Sequence, residues 1–93
     1  MDIRNSNHLI KTEDELYEYC DFASDVLKFA DKLAKDDNIL WFFKECYSDW
    51  NNEIHFVIFK SYITEEYKDY VLSLKVVKNA NGKYDIVAQK KVP

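Results

Sequence analysis

Two histidines and two cysteines are the residues with which this chain of 93 amino acids could do nucleophilic or metal chemistry. A cysteine nucleophile is activated by an imidazole within hydrogen-bond reach. A one-residue choice of strand register would set His55 opposite Cys46, which is the arrangement that chemistry needs. The sequence offers no evident third group to orient the imidazole and no nearby glycine to form an oxyanion turn. His55 and His8 are therefore expected as surface or half-buried histidines, and no catalytic residue is assigned. Two His and two separated Cys, Cys20 and Cys46, match none of the usual zinc spacings, so neither a metal nor another cofactor is expected. The thiols read as free and buried in a reducing cytoplasm.

The carboxylates carry more information. Glu13, Asp14, Glu15, Glu18, Asp21 and Asp25 place six negative charges in thirteen residues with no positive one among them. On a continuous helix Asp14, Glu18, Asp21 and Asp25 follow at spacings of four, three and four, which makes one stripe. Like charges at that spacing weaken an isolated helix by roughly 0.2–0.5 kcal/mol per pair. Such a stripe is either a solvated face or an anionic ridge for a basic partner. At the other end, Lys75, Lys78, Lys83, Lys90 and Lys91 surround a single Asp85, a pattern that protects a terminal strand from edge-to-edge pairing. Trp50 stands in a polar turn between Asp49 and Asn51, where an indole either caps a sheet edge or anchors a partner.

These residues must be positioned by a helix and four strands. Residues 1–11 read as an N-terminal arm or an irregular edge strand. Thr12-Glu13-Asp14-Glu15 spells a capping box, and Leu16, Cys20, Ala23, Leu27 and Ala30 recur at helical spacing, widened by Tyr19, Phe22, Val26, Phe29 and Leu33. The spacing predicts one helix over 12–36, with Leu27 near the centre of its buried stripe. From residue 39 to 91 the chain reads as antiparallel sheet. Ile39 to Tyr47 and Glu53 to Ile63 are aromatic and β-branched, two later runs alternate with period two, and Asn81-Gly82 marks the last hairpin.

The fold class is thus α+β, one N-terminal α-helix packed on a four-stranded antiparallel β-meander in two layers. This order of elements resembles the cystatin-like and nuclear-transport-factor-like architectures, in which a helix lies across a curved antiparallel sheet. Both faces of the first hairpin are apolar, and one helix covers only one of them. The second face then needs the arm, a second copy or a partner to cover it, with Val57 and Phe59 lining it in either register.

Composition bounds the rest. The chain is 47% apolar and 32% charged, which excludes intrinsic disorder, and a single glycine excludes a glycine-rich phosphate loop. The length suits a single domain over 1–93. The start, Met1-Asp2-Ile3-Arg4-Asn5, has no apolar signal region, and the longest apolar run is Ile39 to Phe43, short of the ~18–20 residues of a membrane span. No membrane contact is expected. A net charge of −4 makes the chain a poor ligand for phosphates, so no direct nucleic-acid binding is expected either.

The resulting expectation is a non-catalytic, acidic protein-binding domain in the cytoplasm. It would be an antagonist encoded by a virus or mobile element, blocking the basic nucleic-acid-binding surface of a nuclease. In general composition it is similar to anti-CRISPR and toxin-immunity proteins. Partner-binding residues are expected to be Asp14, Glu18, Asp21, Asp25, Trp50, Val57 and Phe59. The alternatives are a small-ligand or minor enzymatic pocket between helix and sheet, or a structural homodimer.

Overall fold

A computed structural model describes residues 9–61 and 70–92. Two helices, α1 (Glu13–Tyr19) and α2 (Ala23–Asp37), precede four strands, β1 (Phe42–Ser48), β2 (Ile54–Lys60), β3 (Val71–Lys78) and β4 (Tyr84–Val92). The strands form one antiparallel sheet in the order β1-β2-β3-β4. This is the α+β meander expected from the sequence. His8 lies outside the described residues, as do the last two residues of the second predicted strand, Tyr62 and Ile63.

The one helix expected over 12–36 is two. Thr12 caps α1, its hydroxyl accepting from the Glu15 N–H at 3.2 Å. The Glu15 carboxylate reaches the Lys11 N–H and the Thr12 hydroxyl rather than the Thr12 N–H, so the capping box is displaced by one residue. At Cys20 the backbone turns extended, φ −127° and ψ 117°. The chain resumes helix at Ala23. No glycine or proline announces this break. Its gain is packing: Phe22 is buried together with Leu16, Cys20 and Ala23, whereas a straight helix would turn it well away from the face those three share. The break also shifts the seam of α2. Val26 and Ala30 become the buried residues, while Leu27, expected at the centre, is only partly buried. Asn38 ends α2 in the left-handed region at φ 58°, a conformation asparagine tolerates.

The sheet is built by strict alternation in its middle strands. On β2 His55, Val57 and Phe59 face the helices, while Ile54, Phe56 and Ile58 face away and are half-buried. Leu72, Leu74 and Val76 continue the inner face on β3. Two bulges interrupt the outer strands, at Lys44 in β1 and at Val87 in β4. The second sends Ala88 opposite Lys75, away from the helices, so the alternation read along β4 fails beyond Ile86. The arm contributes a short edge: Ile10 pairs antiparallel with Cys46 through bonds of 2.7 and 2.8 Å.

The β1–β2 and β3–β4 turns share one design. In the first, the Asp49 carbonyl accepts from Asn52, Asn52 is left-handed at φ 57°, and the Asp49 carboxylate collects the N–H groups of Glu53 and Ile54. In the last, Asn79 accepts from Gly82 through its carbonyl, and from Asn81 and Lys83 through its side chain. Only Gly82, at φ 80°, has positive φ there, so Asn81-Gly82 is not the two-residue turn that the dipeptide suggests.

Candidate functional site

The helix break places Asp21 and Asp25 of the acidic cluster beside one cleft, and Cys20 and His55 beside a neighbouring one. Asp14 and Glu18 lie one turn apart on α1, and Asp21 sits in the break. Asp25 occupies the first turn of α2, where the helix dipole favours a negative charge. The four carboxylates therefore do not form a single helical stripe; the kink divides them into two pairs. All four are exposed, and none is in an ion pair or hydrogen bond among the described residues. Asp21, Phe22 and Asp25 line an open cleft of about 340 Å³ together with Tyr84 and the Asn81-Gly82-Lys83 turn.

Beside it lies a second cleft of about 330 Å³, lined by Ile10, Tyr19, Cys20, Ser48, Asn52, His55 and Tyr84. His55 is 7% exposed, and its ring packs edge-on in a triangle with Phe22 at 4.9 Å and Tyr84 at 5.3 Å, those two being 5.1 Å from each other. Its Nδ1 is buried without a hydrogen-bond partner among the described residues. Burial lowers the proton affinity of this imidazole, and the Asp49 carboxylate opposes that only in part. Asp49 itself is held below its ordinary value by the N–H of Ile54 and, more weakly, that of Glu53. The Tyr84 hydroxyl donates to the Asn52 carbonyl at 2.9 Å, and burial raises its pKa.

The register settles the cysteine–histidine question. His55 stands opposite Ser48, and Cys46 opposite Val57. Cys46 instead lies near Cys20 of the helix break, both being free thiols buried in the core. A hydrogen bond from Cys46 lowers the Cys20 thiol, against the effects of burial and of Asp21. The same contact, reinforced by burial, drives the Cys46 thiol far up. Among the described residues, no group of three His, Cys, Asp or Glu side chains converges on a point where a metal ion could sit. No described helix is long and apolar enough to cross a membrane.

Of the remaining predicted partner residues, Trp50 projects from the first turn and is 53% exposed. Val57 and Phe59 do not line an accessible face: they are 0% and 1% exposed, inside the core beneath the helices. Alternation along β2 decides this, because the residues opposite Cys46 and Phe43 must share their inward face. The second apolar face exists, but Phe42, Tyr47, Phe56 and Ile58 supply it, with Tyr47 stacked on Phe56 at 5.4 Å. Residue type alone did not single out Phe22, Tyr84 or the nearness of the cysteines. A parity argument finds the last, since Cys20 belongs to the inward stripe of the helix and Cys46 to the inward face of β1.

Comparison of the chain with protein-family models, with curated proteins and with solved structures finds no match.

Proposed function

We propose that the chain is a non-catalytic protein-binding domain whose acidic end docks on a basic surface of a partner. That surface is of the kind a nuclease uses to hold nucleic-acid phosphates. The observation that carries this reading is the state of Asp14, Glu18, Asp21 and Asp25: exposed, near one another in the chain, and unneutralised among the described residues. Like charges one turn apart on α1 destabilise it slightly, and a cationic partner relieves that repulsion. Carboxylates held on a kinked helix pair can stand where phosphates would, and their field steers the encounter before contact. Trp50, exposed at the tip of the first hairpin, supplies an aromatic anchor of the type that dominates interface energies. The chain acts in this reading as an antagonist, a role encoded by viruses and mobile elements against host nucleases.

The test is a cleavage assay with nucleases purified from the native host, the chain being titrated in at low and at raised salt. Inhibition that weakens as salt shortens the screening length supports the reading. Unimpaired cleavage by every nuclease at low salt removes the nuclease from it.

A further inference from the structure

We propose that the outer face of the sheet binds single-stranded nucleic acid, stacking unpaired bases on Tyr47 and Phe56 and holding phosphates with Lys60, Lys75 and Lys90. The inference uses the side of the molecule away from the helices and is independent of what the acidic end binds. The register builds this surface. Tyr47 pairs with Phe56 across β1 and β2, and Phe56 with Lys75 across β2 and β3, which makes one row of two aromatic rings and a lysine. Phe42 pairs with Lys60 in the same way, and Lys90 stands opposite Ser73 on β4. Alternation turns these side chains outward, away from the face that buries Val57, Phe59, Leu72 and Leu74. Phe42 and Tyr47 are 42% and 41% exposed, and the Tyr47 and Phe56 rings are stacked at 5.4 Å. Both stacked rings line an open depression of about 410 Å³, together with Leu9, Ser48 and Asp49.

Charge and shape choose the occupant. A net charge of −4 counts against phosphate binding by the chain as a whole, but it averages two layers that the fold separates. Asp14, Glu18 and Asp25 ride on the helices, which cover the opposite face of the sheet. The carboxylates that the register places on the outer face, Glu45 and Asp85, are engaged. Glu45 pairs with Lys11 at 3.7 Å, and Asp85 accepts from the Asn79 side-chain amide at 3.1 Å. Asp49, at the depression, accepts from the N–H groups of Glu53 and Ile54. Lys75 and Lys90 are in no ion pair among the described residues. Protection of a sheet edge accounts for Lys90 on the terminal strand, but Lys60 and Lys75 lie on interior strands. Cations set among exposed rings suit an unpaired strand, whose phosphates meet the lysines while its bases stack on the rings. A duplex keeps its base faces covered, and its major groove admits a two-stranded ribbon rather than a four-stranded sheet.

The experiment titrates the full chain into fluorescently labelled single strands of DNA and of RNA, and into a labelled duplex, across a salt series. Amide chemical shifts then map the bound surface. The expected result is that a single strand binds more tightly than the duplex. Its log K should fall against log salt with a slope of about −2, the value for three neutralised phosphates. Shifts should concentrate on the outward residues of β1, β2 and β3 and leave Asp14 to Asp25 unmoved. Two variants apportion the surface. Lys75→Ala combined with Lys90→Ala should flatten the slope by about 1.4, at about 0.7 for each lost phosphate contact. Tyr47→Ala should weaken binding about tenfold at every salt concentration and leave the slope unchanged. If a variant loses its fold by circular dichroism, the wild-type affinities and shift map decide the matter. No binding of either single strand at the lowest salt would overturn the proposal, as would equal affinity for the duplex or shifts confined to another surface. Two further results would also overturn it by giving the face another occupant: binding to phosphatidylserine vesicles but not to the strands, or dimerisation of the chain through Phe56.

Discussion

The two faces of β2 show how differently one strand can be used. Inward, Val57 and Phe59 are sealed with Leu72, Leu74 and Val76 under the two helices, none more than 1% exposed. Outward, Phe56 and Ile58 are half-buried, and the register places Lys60, Lys75 and Lys90 on the same side. Both sets are equally apolar in sequence. What separates them is cover: a chain of this size has helix enough for one face of its sheet. Hydrophobicity alone therefore does not tell the sealed residues from the accessible ones.

The comparison breaks most visibly at Phe59. Phe59→Ala should cost about 3–5 kcal/mol, because it empties a fully enclosed site against Phe43. Phe56→Ala, three residues earlier on the exposed side, should cost far less, and its main loss is the stack on Tyr47. Paired denaturation midpoints check this; equal losses would mean that the outer face is also sealed.

A smaller effect is expected at the first turn. Asp49→Ala removes the acceptor for two backbone N–H groups and should cost about 1 kcal/mol, visible in the melting temperature. Trp50→Ala in the same turn should leave stability nearly unchanged, since the indole is largely exposed. Binding to the partner is where its loss should register.

The smallest effect on stability is tied to pH. Burial holds the His55 imidazole below its ordinary value of about 6.5, so between the two values the unfolded chain binds the proton more readily. The stability that depends on a neutral His55 is complete above about pH 6.5 and is lost as pH falls through the folded value. Asp49 works against this shift, while Phe22 and Tyr84 both pack against the ring. Unfolding measured from neutral pH into mild acid should show the decline, and His55→Gln should flatten it. An equal slope in that variant would place the decline elsewhere.

How much of this was legible follows the periodicities. The alternation on β2 and β3, the cap at Thr12 and the stop at Asn38 are local signals, and the sheet order follows from short connections. The break at Cys20 leaves no such trace. It exists because burying Phe22 against His55 and Tyr84 outweighs continuing the helix, and that balance involves residues more than thirty positions away. The bulges at Lys44 and Val87 are equally silent, and each turns a side chain that simple alternation places on the other face. For the candidate site, the acidic residues were read as a surface feature and are exposed, while Trp50, left open between capping the sheet edge and anchoring a partner, is exposed as well. Val57 and Phe59 were misplaced because both faces of β2 are apolar and residue type does not say which one the helices cover. The thiol pair went unseen because it depends on tertiary contact.

The central claim is that the acidic end is a recognition surface. Its most direct test measures the association rate of the inhibited nuclease with the wild-type chain and with a variant carrying Asp14→Lys, Glu18→Lys, Asp21→Lys and Asp25→Lys, across a salt series. Each exposed site should change stability by no more than about 0.5 kcal/mol, so the variant should keep its fold by circular dichroism. The account predicts that its binding is abolished and that the rate difference is greatest at the lowest ionic strength. Full binding by the folded variant at low salt would contradict the claim and leave the four carboxylates as a solvated face.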